Sequence, residues 1–266
     1  MNLPMMSRRN APSWVVRIAV VCVASVGVLA VPSHAASARS SVAAQTSTTP
    51  SPTAATIPSS GSGVKVAALT IVASAKSAAT PAYDSPTATK PFVTFNNKTN
   101  FSGRHVFIVL AQQGDSFKVL LPMRPNGKTG YVKAKDVNLY QHDYAAVISL
   151  AGKSLTLYKS GKEVLKDTVA IGSAKYPTPI GSFYMRELAR PRNPKGAYGP
   201  WAFGLSAYSN VLQKFGRGDG QIGIHGTNQP QLLGQSVSHG CIRMRNATII
   251  KLAEILPQGV PVEIVA

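Results

Sequence analysis

The chain has 266 residues, of which 44% are hydrophobic, so it is long enough for a signal segment plus one or two domains that each bury a core. It carries 28 Lys and Arg residues against 10 Asp and Glu residues, a formal net charge of +18. Such a charge attracts polyanions, but the sequence contains no base-reading motif, so nucleic acid is not expected as a partner.

The first 35 residues have the order of a secretory signal peptide. Arg8 and Arg9 precede an uncharged run over residues 18–31, and small residues follow it, with cleavage expected after Ala35. An uncleaved membrane anchor is the alternative, although the run is shorter than the ~20 apolar residues that span a bilayer. We therefore predict that residues 1–35 are a signal peptide and that the protein is exported, with membrane contact only if the segment stays uncleaved.

Cleavage would leave a mature chain with a single cysteine. Cys22 lies within the apolar run, and loss of Arg8, Arg9 and Arg17 lowers the formal charge from +18 to +15. Cysteines in an oxidising exocytoplasmic space usually occur in pairs as disulfides. The remaining Cys241 is therefore either an inert buried side chain or a functional thiol.

Two segments of different composition follow the signal region. Residues 36–63 are almost entirely Ala, Ser, Thr, Pro and Gly, which predicts a flexible linker. Residues 64–141 contain short apolar runs separated by turn residues such as Pro81, which predicts a small all-β domain. Its segments 114–120 and 130–133 resemble the last strands of a bacterial SH3-like domain. The resemblance implies either a module that positions its neighbour or one that binds a polymer.

Residues 142–266 are predicted to form a second, mainly β domain. Apolar runs over 146–150 and 155–158 flank a turn, a hairpin pattern that residues 164–171 continue. Residues 177–184 predict a rigid turn entering a strand, and the Pro-rich and Gly-rich stretch 189–200 predicts a long loop. A helix over 247–256 and a strand over 260–265 are expected to close the chain. The predicted fold class is a mixed β-sandwich or barrel-like domain with one or two short helices, preceded by the small SH3-like domain.

The densest chemical pattern lies in residues 222–246. It contains His225, His239 and Cys241, with Gly240 directly before the cysteine. A nucleophilic thiol needs a base or an imidazolium to favour the thiolate, and backbone amides to receive the oxyanion that forms on attack. The amides of Gly240 and Cys241 are candidates for that second role, and the thiol pKa is expected to lie below its ordinary value. Spacing alone does not choose between the two histidines.

A third group is needed to orient the imidazole, and the sequence leaves two alternatives. Asp219 is the only carboxylate close in sequence to either histidine. A backbone carbonyl serves equally well, because orientation of the ring is what the role requires.

The string His225-Gly226-Thr227-Asn228, followed by residues 238–243, resembles the motif of the L,D-transpeptidase catalytic domain. The resemblance covers about residues 144–266 and implies that Cys241 is the acylated nucleophile, His225 the base, and the Gly226 carbonyl the group that orients the ring. It further implies that an oxyanion-binding and substrate-binding set surrounds them, comprising Ser238, His239, Gly240, Tyr198, Arg243 and Asn246.

Arg243 marks a departure from the family pattern. Many members carry Asn two residues after the cysteine, whereas this chain has Arg243 there and Asn246 three residues later. Arg243 either holds a substrate carboxylate through its planar guanidinium or forms a structural ion pair.

The resemblance implies an exported cell-wall enzyme that needs no cofactor or metal. Its partners would be peptidoglycan stem peptides and, through the basic surface, anionic wall polymers. Transfer of the stem to an amine and hydrolysis by water, an L,D-carboxypeptidase reaction, both remain open. The alternatives from other classes are a non-catalytic wall-binding protein and a zinc site made by His225, His239 and Cys241, for which a fourth ligand is missing.

Overall fold

The computed structural model describes residues 69–96, 104–216 and 218–266. All of them fall within one compact unit. The predicted signal peptide and linker, residues 1–63, lie outside the described residues. Within the described residues, the longest apolar helix is too short to cross a membrane.

The amino-terminal part is a small all-β module, as predicted. Its main sheet is antiparallel with the order β6-β5-β4-β1-β7. The strands are β1 Thr70–Ala75, β4 Val106–Gln113, β5 Ser116–Leu120, β6 Thr129–Lys133 and β7 Val137–His142, and a separate ribbon pairs β2 Ala79–Ala82 with β3 Val93–Asn96. The likeness to an SH3-like domain stays a prediction.

Two strands of this module differ from the sequence prediction. Pro81, read as a turn signal, lies inside β2, where it pairs with Thr94 of β3. A two-stranded ribbon leaves one edge of each strand unpaired, and proline is tolerated at such an edge. The strand β7 was not predicted, because Val137–His142 lacks a regular alternation of apolar and polar residues and its Leu139 is exposed.

The carboxy-terminal part is built on a mixed eight-stranded sheet with the order β10-β9-β8-β17-β12-β13-β14-β16. Its strands are β8 Tyr144–Ser149, β9 Ser154–Lys159, β10 Lys162–Thr168, β12 Gly181–Ala189, β13 Ala202–Tyr208, β14 Gln221–His225, β16 Ile242–Arg243 and β17 Pro261–Val265. A small parallel pair joins β11 Ile171–Gly172 to β15 Ser236–Ser238. The predicted hairpin, the long loop 189–200 and the closing strand are all confirmed.

One α-helix, α1 Asn246–Ile255, occurs in the described part of the chain, close to the predicted 247–256. Its Ile249 and Leu252 side chains are buried in a hydrophobic core that they share with strands of the eight-stranded sheet. Burial of each such side chain contributes about 2 kcal/mol. Single 3₁₀ turns at Ala134–Asp136 and Pro230–Leu232 complete the helical content described, so the mainly β fold class is confirmed.

The module and the eight-stranded sheet share buried side chains. Tyr184 of β12 is fully buried in a cluster with Val72, Val106, Ile108 and Leu120 of the module. The Tyr140 hydroxyl donates a hydrogen bond of 2.8 Å to the Gln258 carbonyl across the same junction. The two parts are therefore packed directly against each other.

Candidate active site

Strand pairing brings the cysteine and one histidine together. The parallel pair β14 and β16 sets Ile224 opposite Ile242 and His225 opposite Arg243. Cys241 directly precedes β16, so it lies beside the neighbouring strand that ends in His225. The strand pairing thus places His225, which is distant in sequence, beside Cys241.

Two cavities meet at this point. A cavity of about 190 Å³ and a larger one of about 520 Å³ are both lined by Cys241, His225 and Tyr198. Ser238, His239 and Arg243 line the smaller cavity. Asp219 lines the larger one. A thiol and an imidazole thus face the same space from adjacent strands.

The orientation of His225 is fixed by the backbone. Its ring is buried, and Nδ1 lies 2.6 Å from the Gly226 carbonyl oxygen. Since a carbonyl only accepts, Nδ1 carries the proton and Nε2 of the neutral ring is left as an acceptor. The Tyr198 ring covers the imidazole, with 4.8 Å between ring centroids. Of the two alternatives for the group that orients the imidazole, Asp219 or a backbone carbonyl, the structure shows the Gly226 carbonyl in contact with the ring.

The pKa of His225 is lowered to about 4: burial is the main cause, the hydrogen bond to Gly226 opposes the decrease, and the positive charge of Arg243 adds to it. The imidazole is consequently neutral at physiological pH. A neutral imidazole can accept a proton from a thiol, whereas an imidazolium cannot.

The pKa of Cys241 is raised, which contradicts the sequence expectation. Partial burial of the residue disfavours the thiolate, while a backbone hydrogen bond with Gly223 and the charge of Arg243 act in the opposite direction but do not outweigh it. The expected decrease assumed an imidazolium beside the thiol, and His225 is neutral. The resting pair is therefore thiol and imidazole, without a permanent ion pair.

The turn that presents Cys241 is held by side-chain hydrogen bonds. Ser238 Oγ donates to the Cys241 carbonyl at 2.6 Å and accepts from the Gly240 amide at 3.1 Å. Thr178 donates to the Gly240 carbonyl at 2.8 Å. Gly240 has φ +114°, and a side chain there would press on Ile222. The Gly240 amide, one of the two candidate oxyanion donors, is thus engaged within the turn.

His239 occupies a different environment from His225. It is exposed, and its ring lies between those of Tyr176 and Phe215, with centroid distances of 4.9 and 5.2 Å. It forms part of the wall of the smaller cavity. Sequence reasoning missed both aromatic partners, because no local pattern links residues 176 and 215 to the cysteine motif.

Arg243 and Asn246 lie in different places. Arg243 lines the smaller cavity and approaches Gln229 Oε1 at 3.4 Å. Among the described residues the one ion pair joins Arg245 to Asp167, so Arg243 forms none there.

Asn246 begins α1 and accepts a hydrogen bond of 2.8 Å from the Thr227 amide. Asn246 lines neither cavity, and its hydrogen bond supports the turn after His225.

In the part of the chain that the structure describes, no group of three or more His, Cys, Asp or Glu side chains is arranged to hold a metal ion. A mainly β domain with a thiol and a neutral, oriented imidazole in one cavity has the arrangement used by cysteine nucleophiles in acyl transfer.

Comparison with known proteins gives this class a family. Residues 143–264 match the sequence model of the YkuD family, the L,D-transpeptidase catalytic domain. The chain is 33% identical over 155 residues to YkuD of Bacillus subtilis, a protein named as an L,D-transpeptidase, covering 56% of this chain and 86% of that protein. It is 36% identical over 121 residues to YkuD of Bacillus licheniformis, covering 46% and 65% respectively. The chain belongs to the L,D-transpeptidase family.

Solved structures give a further likeness. An L,D-transpeptidase from Mycobacterium smegmatis is 12% identical, and the match covers 61% of this chain and 91% of that one with a TM-score of 0.39.

Proposed function

We propose that this protein is an exported peptidoglycan L,D-transpeptidase in which Cys241 is the nucleophile and His225 the general base. The observation that carries the proposal is the orientation of His225: Nδ1 donates to the Gly226 carbonyl and Nε2 is left as an acceptor in a cavity that Cys241 also lines. Membership of the family supports peptidoglycan as the substrate.

The first half-reaction is acylation. Cys241 Sγ attacks the L-centre carbonyl carbon of the third residue in a tetrapeptide stem, and His225 Nε2 takes the thiol proton as the S–C bond forms. The Cys241 amide stabilises the oxyanion. The bond to the terminal D-alanine then breaks, its nitrogen takes the proton from His225, and a thioester remains on Cys241.

The second half-reaction transfers the stem. A side-chain amine of a neighbouring stem attacks the thioester carbonyl, gives up a proton to His225, and forms an amide as the Cys241 thiol is restored. The position of Cys241 where two cavities meet supports this assignment, because transfer requires the donor acyl group on the sulfur and an acceptor amine that reaches its thioester carbonyl. With water as the acceptor the same steps describe an L,D-carboxypeptidase.

Arg243 is proposed to hold a carboxylate of the donor stem. It lines the smaller cavity, and the structure shows no acidic side chain paired with it among the described residues, which include all ten Asp and Glu residues of the chain. A guanidinium with free donors binds a carboxylate through two parallel hydrogen bonds. The net charge also favours association with anionic wall polymers.

Mass spectrometry of the protein incubated with disaccharide-tetrapeptide tests the proposal. We expect release of D-alanine and a mass increase on Cys241 that corresponds to the acyl group. The Cys241→Ser variant should fold, with an unchanged melting temperature, and lose turnover, because a site that accepts a thiol proton does not ionise a hydroxyl. A folded serine variant that releases D-alanine at the wild-type rate would refute the mechanism.

Export is proposed from the sequence of residues 1–35, which lie outside the described residues. Amino-terminal sequencing of the protein recovered outside the cytoplasm should begin near Ala36. An intact Met1 on the membrane-bound protein would indicate an anchor instead.

A further inference from the structure

A turn of the amino-terminal module contacts the chain segment that forms one wall of the site. We call residues 122–127, between β5 and β6, the anchoring turn. The wall loop consists of residues 209–216 and 218–220, between β13 and β14. Leu212 and Phe215 of the wall loop line the smaller cavity, and Phe215 and Gly220 also line the larger one.

Arg124 of the anchoring turn reaches into the base of the wall loop. Its Nη2 donates to the Ser209 carbonyl at 3.3 Å and to the Leu212 carbonyl at 3.0 Å. Hydrogen bonds from a charged donor are stronger than those between neutral groups. One side chain of the module thus holds two carbonyls near the start of the loop.

Asn126 fixes the strand end from which the loop departs. Its Nδ2 donates to the Tyr208 carbonyl at 2.8 Å, and its Oδ1 accepts from the Tyr208 amide at 2.9 Å. This pair of bonds engages both the amide and the carbonyl of Tyr208, the last residue of β13. The Arg124 guanidinium also lies over the Tyr208 ring, 4.6 Å from its centroid.

The packing around Arg124 leaves little freedom. The Ser209 amide donates to the Gly220 carbonyl at 2.9 Å, which closes the base of the wall loop. Gly220 has φ +79°, and a β-carbon there would lie 2.9 Å from Arg124 Nη2 and would collide with the Leu212 carbonyl. The guanidinium is therefore packed against both ends of the loop at once.

The wall loop connects the contacts of Arg124 and Asn126 to the residues around Cys241. Phe215 packs on the His239 ring at 5.2 Å between centroids, and His239 lies two residues before Cys241. Neither Arg124 nor Asn126 lines the cavities described above. A change at either residue would reach the site only through the position of the wall loop.

We propose that Arg124 and Asn126 are positioning residues for the wall loop, so that the amino-terminal module forms part of the support of the active site. The expected effect of these two residues on turnover rests on the transpeptidase function proposed above. The alternative is that these contacts only stabilise the junction between the two parts of the chain, as the Tyr140 hydrogen bond to Gln258 does.

Variants in the full mature chain separate these two roles. Arg124→Met and Asn126→Ala remove the contacts to the wall loop and strand end. Tyr140→Phe is the matched control, because it removes a module-to-sheet hydrogen bond to Gln258 that does not involve the loop. Three rates are measured for each protein: tryptic cleavage after the exposed Lys214 of the loop, alkylation of Cys241 by N-ethylmaleimide, and kcat/KM for D-alanine release.

We expect Arg124→Met to raise the rate of cleavage after Lys214 by about tenfold or more, since hydrogen bonds from a charged group hold the loop. The alkylation rate of Cys241 should rise as the wall opens, and kcat/KM should fall about tenfold or more, because catalysis is sensitive to small displacements. Asn126→Ala should act in the same direction. Tyr140→Phe should leave the three rates near their wild-type values even if its melting temperature falls.

Unchanged cleavage and alkylation in Arg124→Met would overturn the proposal, as would losses in Tyr140→Phe that equal those in Arg124→Met. If the wild-type protein released no D-alanine, the transpeptidase function would fail. The cleavage and alkylation rates would then still decide whether Arg124 and Asn126 position the loop.

Discussion

At the scale of single residues, the site is defined by the protonation states of two side chains. Burial makes His225 a neutral base and Cys241 a neutral thiol. In the mechanism that we propose, the thiolate therefore forms only as the proton passes to Nε2 of His225 during attack. In the exported, cleaved chain that we propose, a neutral thiol would be protected, because oxidants and electrophiles react with the thiolate form.

The pH dependence of kcat/KM for D-alanine release tests these states. Since kcat/KM reports the free enzyme, its acid limb should follow the His225 pKa of about 4 and not the ordinary value of ~6.5. Alkylation of Cys241 should accelerate only above the ordinary thiol pKa of ~8.5, because the Cys241 pKa is raised. An acid limb near pH 6.5 would contradict the lowered pKa of His225, and rapid alkylation at neutral pH would show that Cys241 rests as a thiolate.

At the scale of secondary structure elements, the first residue of α1 supports the catalytic strand. Asn246 Oδ1 accepts from the Thr227 amide, two residues after His225. A side chain at Gly226 or at Gly199 would collide with the same Oδ1 atom. This close approach explains why glycine occupies both positions. The side-chain amide of Asn246 thus contacts the loop 189–200 and the segment after β14, as well as beginning α1.

Replacement of Asn246 tests whether this contact sets the position of His225. Asn246→Ala should lower kcat/KM about tenfold or more, because the turn that orients the imidazole loses its support. Asn246→Asp retains an acceptor oxygen and should recover part of that loss. Thr248→Val is the control, since it removes a 2.5 Å hydrogen bond from the same helix to Asp167 without touching the turn. Equal losses of activity in Asn246→Ala and Thr248→Val would mean that Asn246 acts only through helix stability.

At the scale of the whole molecule, buried histidines occur on both sides of the junction. Burial lowers the pKa of His105 and His142 in the module, as it does for His225. For His142 a hydrogen bond with the Gly259 backbone opposes the decrease. All three side chains bind protons more readily in the unfolded chain than in the folded protein.

Folding stability should therefore fall in acid. A group with a lowered folded pKa contributes stability above its unfolded pKa of ~6.5, and that contribution is lost as the pH falls through the folded pKa. For His225, with a folded pKa of about 4, the loss between pH 7.5 and 4.5 is about 2 to 3 kcal/mol. The raised pKa of Glu263 acts in the opposite direction.

Denaturant unfolding at pH 7.5 and 4.5 measures the change in the free energy of unfolding. His225→Gln, which cannot be protonated in this range, should lose less stability than the wild-type protein over the same interval. A free energy of unfolding that is independent of pH, or an equal loss in the variant, would contradict the assignment of a buried neutral His225.

The sequence alone determined the features that depend on neighbouring residues. Alternation of apolar residues around a turn predicted the hairpin of β8 and β9, and the apolar spacing after Asn246 predicted α1. The resemblance of the motif around Cys241 to the L,D-transpeptidase motif pointed to His225 and Gly226, a choice that spacing alone left open. The hairpin and the helix needed only the local geometry of strands, turns and helices.

Only the tertiary structure decided the features that depend on burial and on contacts between distant segments. Burial of His225 and Cys241 reverses the expected direction of the thiol pKa, and the Ser238 hydroxyl engages the Gly240 amide that the sequence had assigned to the oxyanion. Arg124 contacts two residues of the wall loop that lie 85 and 88 positions away from it in the sequence. Desolvation depends on every atom packed around a group, and long-range contacts depend on how the sheets pair. Neither quantity can be read from a window of neighbouring residues.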